Sequence, residues 1–223
     1  MKKVFISGSI NLSILPKIVE KSLKTIQEQN IKILVGDAKG IDSLIQDYFS
    51  KKAYFNLNIY SIYETPRNRK NNNFKTILID VDMDIKSERK KQEKKDEYMS
   101  LNSDYSFVIW DGKSKGSFNN IQRALENNKL LKVYYTKDGR LLQENELNRD
   151  TINKIYEKNN GLTLRELSKY TNLSLSTIKE NVKKHKELYI ASTFRGKTKY
   201  KYDIRLIDIL KQESLFGQHA NKT

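Results

Sequence analysis

The sequence contains no cysteine and only two histidines, His185 and His219, among 223 residues. The absence of cysteine excludes disulfides, thiolate metal ligands and a cysteine nucleophile. Two histidines 34 positions apart offer little for a histidine metal site or a catalytic triad. The sequence also lacks any run of about 18 apolar residues, and Ser7, Gly8 and Ser9 interrupt its apolar start. We therefore expect a cytoplasmic protein that is neither secreted nor membrane-spanning.

Positive charge is present in excess. The chain has 42 Lys and Arg against 27 Asp and Glu, a net charge of +15. Residues 1–150 hold 27 basic and 20 acidic residues, a net of +7, whereas residues 151–223 hold 15 and 7, a net of +8. The C-terminal part is thus the more densely charged. This indicates a polyanionic partner, DNA above all; the alternative is a merely soluble, lysine-rich protein.

Short β-branched runs alternate with amphipathic stretches over the first part of the chain, which predicts an α/β fold with a Rossmann-like parallel sheet and crossover helices. The predicted strands are residues 4–7, 31–35, 57–63, 107–110 and 131–135, and the predicted helices are 16–29, 41–52, 84–101 and 117–127. The run 74–81 could form a further strand, and Asp138-Gly139 predicts a hairpin turn. The Lys/Glu run 86–95 is typical of a solvated helix face.

Two domains are expected, residues 1–142 and residues 150–215, joined by the polar segment 143–150. The second is predicted to be the smaller.

Three glycine-containing loops follow predicted strands, at the sheet edge where open α/β folds bind ligands. They are Ser7-Gly8-Ser9, Gly36-Asp37-Ala38-Lys39-Gly40 and Asp111-Gly112-Lys113-Ser114-Lys115-Gly116-Ser117. Glycine lets the backbone approach an anion, and the last two loops run into helices whose first N–H groups favour negative charge. We expect these residues to bind phosphate; the alternative is that they are only tight strand-to-helix turns.

Two of these loops resemble a known family. The segment Val35 to Asp42 is similar to the Gly-x-Ala-x-Gly-Ile-Asp signature of the SLOG superfamily, the Rossmann-like domains shared by DNA-processing protein A and the lonely-guy-type phosphoribohydrolases. The segment Val108 to Ser117 resembles the Trp-Asp-Gly-x-Ser-x-Gly-Thr stretch of small bacterial SLOG proteins. The resemblance covers about residues 3–135. It implies that the loops, with Asp42, bind a nucleotide or the phosphates of single-stranded DNA.

One departure from that family bears on chemistry. The phosphoribohydrolases carry Pro-Gly-Gly-x-Gly-Thr-x-x-Glu, whose Glu takes part in glycosidic cleavage, whereas Phe118, Asn119 and Asn120 follow Gly116-Ser117 here. An asparagine cannot act as the acid or nucleophile of glycosidic cleavage. We therefore expect no hydrolase activity of that type, no catalytic residue and no cofactor.

The C-terminal part predicts a winged helix-turn-helix. A first helix at 150–158 with Ile152 and Ile155 buried is followed by a capping box at Thr163 to Glu166. A further helix, capped by Ser174 or Ser176, extends through residue 185, and runs 189–194 and 199–204 form a hairpin with a basic tip. In a helix-turn-helix the second helix of the motif, which here is the one capped by Ser174 or Ser176, enters the major groove. The candidate DNA contacts are Ser174, Ser176, Thr177, Lys179, Glu180, Lys183, Lys184, Lys186, Arg195, Lys197 and Lys199.

Three functions remain open. The first is a non-enzymatic nucleic-acid-binding protein resembling DNA-processing protein A, and the second is a transcription regulator that responds to a nucleotide ligand. The third, a nucleotide-processing hydrolase, is disfavoured by Asn120. Winged-helix regulators are often dimers, so a homodimer is one open arrangement. Asp80, Asp82 and Asp84 alternate, but no calcium-loop spacing accompanies them, so we expect no metal site.

Overall fold

The computed structural model describes residues 1–82, 84–194 and 197–220, without the side chains of residues 192–194, 197–199 and 215–220. The chain divides into two compact units, Met1–Ile152 and Asn153–Thr223. Among the described residues, no helix is both long enough and apolar enough to span a bilayer.

The first unit alternates strands and helices. Its strands are β1 (Lys3–Gly8), β2 (Lys32–Val35), β3 (Leu57–Ser61), β4 (Lys75–Leu78), β5 (Tyr105–Trp110), β6 (Leu130–Tyr135) and β7 (Arg140–Leu141). Its helices are α1 (Lys17–Glu28), α2 (Ile41–Lys51), α3 (Glu88–Leu101) and α4 (Lys115–Glu126). The strands form one sheet in the order β4-β3-β2-β1-β5-β6-β7, parallel except at β7. The predicted α/β fold with a Rossmann-like parallel sheet is confirmed.

Buried strands supply the core of this unit. Successive side chains of a strand point to opposite faces, so Ile33 and Val35 join the larger apolar cluster, which includes Val19 of α1. Leu34 joins a smaller cluster with Met99 of α3. Each face of the sheet is thus covered by apolar side chains, as a parallel sheet requires.

Two details differ from the sequence-based expectation. Lys95, expected on a solvated helix face, is buried, because it points to a buried carboxylate. The segment expected to be a linker contains a 3₁₀ turn, Glu144–Glu146, whose last residue forms an ion pair with Arg140 at 2.7 Å. That pair holds the turn against the hairpin.

The second unit contains helices and one hairpin. Its elements are α5 (Arg149–Asn160), which begins in the first unit, α6 (Leu164–Thr171), α7 (Leu175–Asn181), β8 (Tyr189–Phe194), β9 (Lys197–Tyr202) and α8 (Leu206–Ala220). The capping box at Thr163 and Glu166 is present, and Asn172 takes a left-handed conformation between α6 and α7. Strands β8 and β9 pair antiparallel.

Two features of this unit differ from the prediction. Helix α7 ends at Asn181, and two 3₁₀ turns, Val182–Lys184 and Lys186–Leu188, follow it instead of a helix through residue 185. Helix α8 was not predicted; its Leu206 and Leu210 are fully buried in the unit's core. The core therefore needs a segment that the sequence pattern left unassigned.

Candidate functional site

The first two glycine loops lie against each other at the carboxyl ends of β1 and β2. The amide of Ile41 donates to the carbonyl oxygen of Ser9 at 3.3 Å. Gly40 has φ +75°, and a Cβ there would lie 2.5 Å from the Cα of Ile10. Only glycine combines this backbone conformation with so close an approach. The two loops therefore form one continuous backbone surface.

The third loop is tied to the first. The hydroxyl of Ser9 donates to Asp111 Oδ2 at 2.9 Å, and Asp111 Oδ1 accepts from the amides of Lys113 and Ser114 at 2.9 and 2.7 Å. Both oxygens of Asp111 are thus engaged within the protein. Asp111 braces the loops, and the structure brings all three of them to one edge of the sheet.

The start of α4 presents cations and backbone to solvent. Ser114 caps this helix, accepting from the amide of Ser117 at 3.5 Å. Lys113, Lys115 and Gly116 are exposed. A Cβ added at Gly116 would meet no atom of the described part of the chain within 4 Å, so a ligand can approach its backbone. Amides at a helix start favour an anion.

Asp37 is fully buried beneath the second loop. Its carboxylate accepts from the hydroxyl of Ser61 at 2.8 Å and from the guanidinium of Arg67 at 2.7 Å, and the ammonium of Lys95 lies 3.4 Å away. Burial disfavours its ionised form, but the hydrogen bonds from Arg67 and the charge of Lys95 outweigh burial and lower the pKa of Asp37 to about 2. Asp37 is therefore a buried anion paired inside the protein and offers no group to a ligand.

A second carboxyl at this edge behaves in the opposite way. Asp42 accepts from the amide of Ala38 at 3.1 Å. Burial raises its pKa to about 7, against the attraction of Lys95. A Cβ at Gly36 would lie 2.3 Å from Asp42 Oδ2, so this glycine makes room for the carboxyl. Asp42 thus keeps its proton up to a pH well above that at which carboxylic acids usually ionise.

Lys95 links these groups to α3. Its Nζ lies 3.7 Å from Asp96 Oδ1, besides its contact with Asp37. Burial raises the pKa of Asp96, although Lys95, Arg123 and the side chain of Asn120 lower it in part. Asn120 is buried and accepts from Arg123 at 2.7 Å. The amide that stands where the resemblance places a glutamate is therefore engaged within this charged cluster.

The predicted loop residues differ in what they can contact. Lys39 is exposed, Ala38, Gly40 and Asp42 are partly exposed, and Ser9, Asp37, Gly112 and Ser117 are buried. Ser7 is also buried, and its hydroxyl has no hydrogen-bond partner among the residues that the structure describes. Sequence reasoning missed Ser61, Arg67, Lys95, Asp96, Asn120 and Arg123. The position of Arg67 after a strand was a usable signal, whereas nothing local distinguishes Lys95 from its exposed neighbours.

The predicted DNA contacts of the second unit are mostly exposed. Ser174 caps α7 by accepting from the amide of Thr177 at 3.1 Å, and its hydroxyl lies 2.7 Å from that of Ser176. The exposed lysines are Lys179, Lys183, Lys184 and Lys186. Because α7 ends at Asn181, the last three lie in the 3₁₀ turns. Arg195 falls outside the described residues, as do the side chains of Lys197 and Lys199.

Comparison with known proteins gave a weak likeness to a solved structure. No protein-family model matches the chain, and no curated protein matches it. A solved structure of DNA processing protein A from Helicobacter pylori, reported for its single-stranded DNA binding mode, matches with 16% identity and a TM-score of 0.44, covering 82% of this chain and 81% of that one. These values are too low to assign the chain to that protein's family.

Proposed function

We propose that the chain is a non-enzymatic nucleic-acid-binding protein that uses both units. The loops at the carboxyl edge hold phosphates of single-stranded DNA or of a nucleotide, and the second unit holds duplex DNA as a winged helix. The observation that carries the proposal is a group of exposed lysines in each unit: in the glycine loops of the first unit, and on and just after α7 in the second.

In the first unit the exposed cations are Lys39, Lys113 and Lys115. They belong to the second and third loops, and the third loop is joined to the first through Ser9 and Asp111. The acidic groups nearby do not neutralise the positive charge of these lysines, because Asp37 is paired internally and Asp42 keeps its proton below a pH of about 7. Positive charge beside the start of α4 suits a phosphate.

In the second unit, α6, the turn at Asn172, α7 and the β8–β9 hairpin follow one another as in a winged helix-turn-helix. Lys179, Lys183, Lys184 and Lys186 lie on and just after α7. Each lysine that neutralises a phosphate releases counterions, so binding through this group should weaken as salt rises.

Fluorescence anisotropy with labelled single- and double-stranded oligonucleotides at low salt tests the proposal. We expect the full chain to bind both. The double variants Lys39→Ala/Lys115→Ala and Lys179→Ala/Lys183→Ala should each weaken binding, and the control Lys3→Ala/Lys75→Ala, at exposed lysines where β1 and β4 begin, should not. No binding to either oligonucleotide would refute the proposal. Sequence-specific duplex binding lost only in the second double variant would favour a nucleotide-responsive regulator instead.

A second candidate function is cleavage of a nucleotide at its glycosidic bond. Burial raises the pKa of Asp42 to about 7, and a partly exposed carboxyl that keeps its proton near neutral pH can act as the general acid of such a cleavage. The test is chromatography of nucleotides incubated with the wild-type chain and with Asp42→Asn. Free base released by the wild type alone would support an enzyme, and its absence from both would exclude this activity.

A further inference from the structure

The second unit contains a concavity beside α7, lined in part by Lys179, Glu180, Lys183, Tyr189 and Tyr202. Its volume is about 450 Å³, within the range of roughly 300–1,000 Å³ typical of small-ligand sites. Two tyrosine rings and two lysines line it. This combination suits a ligand with both a flat ring and a negative charge.

The tyrosine rings are held rigidly. Tyr189 and Tyr202 are direct partners in the β8–β9 ladder, and their rings meet edge to face with centroids 5.0 Å apart. Both side chains also pack against the core cluster that contains Leu188 and Leu206. A third ring, Tyr200, lies 5.6 Å from Tyr189. The rings are thus fixed before any ligand arrives, so little conformational entropy is lost on binding.

The two lysines are open to solvent. Lys179 and Lys183 are exposed, and Lys179 makes no hydrogen bond or ion pair within the part of the chain that the structure describes. Lys183 lies 4.0 Å from Glu180, in a pair whose side chains are more than two-thirds exposed. A surface pair of this kind contributes little, so both ammonium groups can turn to a phosphate.

We propose that this concavity binds one unstacked nucleotide of a nucleic-acid strand, with its base against Tyr189 and Tyr202 and its phosphate at Lys179 and Lys183. The inference rests on the proposed function and adds that the second unit, besides holding duplex DNA, can take an unpaired nucleotide at Lys179 and Lys183. Bases inside a duplex are stacked on their neighbours, so neither face is free for a tyrosine ring, whereas a single strand or a frayed end offers one.

Photocrosslinking of the full chain tests where the base lies. A single-stranded oligonucleotide carrying one 5-iodouracil is irradiated with the wild-type protein, and the crosslinked peptide is identified by mass spectrometry. We expect attachment at Tyr189 or Tyr202, and none when the same base is paired within a duplex. Attachment only elsewhere, or equal attachment from the duplex, would overturn the inference.

Affinity measurements separate the stacking of a base on Tyr202 from the contribution of Tyr202 to the packing of the unit. Tyr202→Leu should weaken single-strand binding about tenfold and leave duplex binding unchanged, whereas Tyr202→Phe, which keeps the ring, should bind like the wild type. Glu180→Gln should strengthen single-strand binding, because the carboxylate repels a phosphate in the same concavity. A Leu variant that loses duplex and single-strand binding equally would contradict stacking.

The outcomes also distinguish this inference from the proposed function. If duplex DNA binds but the single strand does not crosslink to the tyrosines, the inference fails and the proposed function stands. If no oligonucleotide binds, both fail. If free deoxyadenosine monophosphate at a concentration equal to that of the strand abolishes the crosslink to Tyr189 or Tyr202, the site accepts a free nucleotide and the requirement for a strand is wrong.

Discussion

The carboxylate of Asp37 and the ammonium of Lys95 lie 3.4 Å apart with almost no exposure to solvent, although 58 positions separate them in the sequence. This contact joins the second glycine loop to α3. A buried ion pair is costly to break, because removal of one member leaves an uncompensated charge in the interior. The frame beneath the candidate phosphate loops therefore depends on two charged groups that are almost inaccessible to solvent.

Replacement of Asp37 should destabilise the first unit. Asp37→Asn leaves Lys95 and Arg67 without their shared counter-charge, and we expect a loss of about 3 kcal/mol in the free energy of unfolding. Urea unfolding followed by the fluorescence of Trp110, the single tryptophan, measures it, because this buried residue reports on the first unit. The exposed control Asp80→Asn should change little. Equal effects of the two variants would contradict a structural role for Asp37.

The stability of the first unit should fall as pH rises from about 4 to about 7. The unfolded carboxyl of Asp42 loses its proton near 3.8, whereas burial raises its pKa to about 7 in the folded state. The folded state thus binds more protons over this window, and the free energy of unfolding decreases with pH. Asp96 contributes in the same direction, since burial also raises its pKa. Asp37 has a lowered pKa, so its contribution to the free energy of unfolding increases with pH, and only below about pH 4.

The variant Asp42→Asn should flatten this pH dependence without abolishing it. Urea titrations at several pH values between 4.5 and 7.5 give the slope for the wild type and the variant. An unchanged slope in the variant would show that Asp42 does not titrate as described.

Two glycines of the candidate loops should respond oppositely to alanine. Gly40→Ala places a Cβ 2.5 Å from the backbone of Ile10 at φ +75°, and we expect a loss of at least about 1 kcal/mol. Gly116 lies in the first turn of α4 with open space around it, so Gly116→Ala should be neutral or stabilise by up to about 1 kcal/mol. Urea unfolding measures both. Equal destabilisation by the two changes would contradict the close packing of the first two loops.

The helix cap of α6 offers a test within the second unit. Thr163 accepts from the amide of Glu166, and Glu166 in turn accepts from the amide of Thr163 at 2.6 Å. Thr163→Ala should cost about 1 kcal/mol, measured by thermal unfolding followed by circular dichroism. Thr163→Ser, which keeps the hydroxyl, should cost much less. Equal losses would exclude the cap as the cause.

The alternating fold of the first unit was predictable because it depends on local signals. Runs such as Ile33 to Val35 are apolar on both faces, as expected of buried parallel strands, and Asp138-Gly139 marked the β6–β7 hairpin. The three glycine loops were also found from their places after strands. These features are recognised within a few residues of sequence.

The charged cluster was not predictable, because it is assembled from distant segments. Nothing near Lys95 distinguishes it from the lysines around it until Asp37 is placed beside it. Helix α7 was predicted too long, because the sequence does not show that two 3₁₀ turns replace its last turn. The concavity beside α7 depends in the same way on the pairing of Tyr189 with Tyr202.

The central claim is that exposed lysines of both units contact nucleic-acid phosphates, and the salt dependence of DNA affinity tests it most directly. Dissociation constants for a duplex and a single strand are measured between 50 and 200 mM salt, about the range over which phosphate contacts change affinity strongly. We predict that Lys179→Ala/Lys183→Ala makes the negative slope of log affinity against log salt shallower for the duplex, by up to about 1.8. For the single strand, Lys39→Ala/Lys115→Ala should make the slope shallower by up to about 1.4. Lys3→Ala/Lys75→Ala should leave both slopes unchanged. Slopes that are the same in all four proteins would contradict the account.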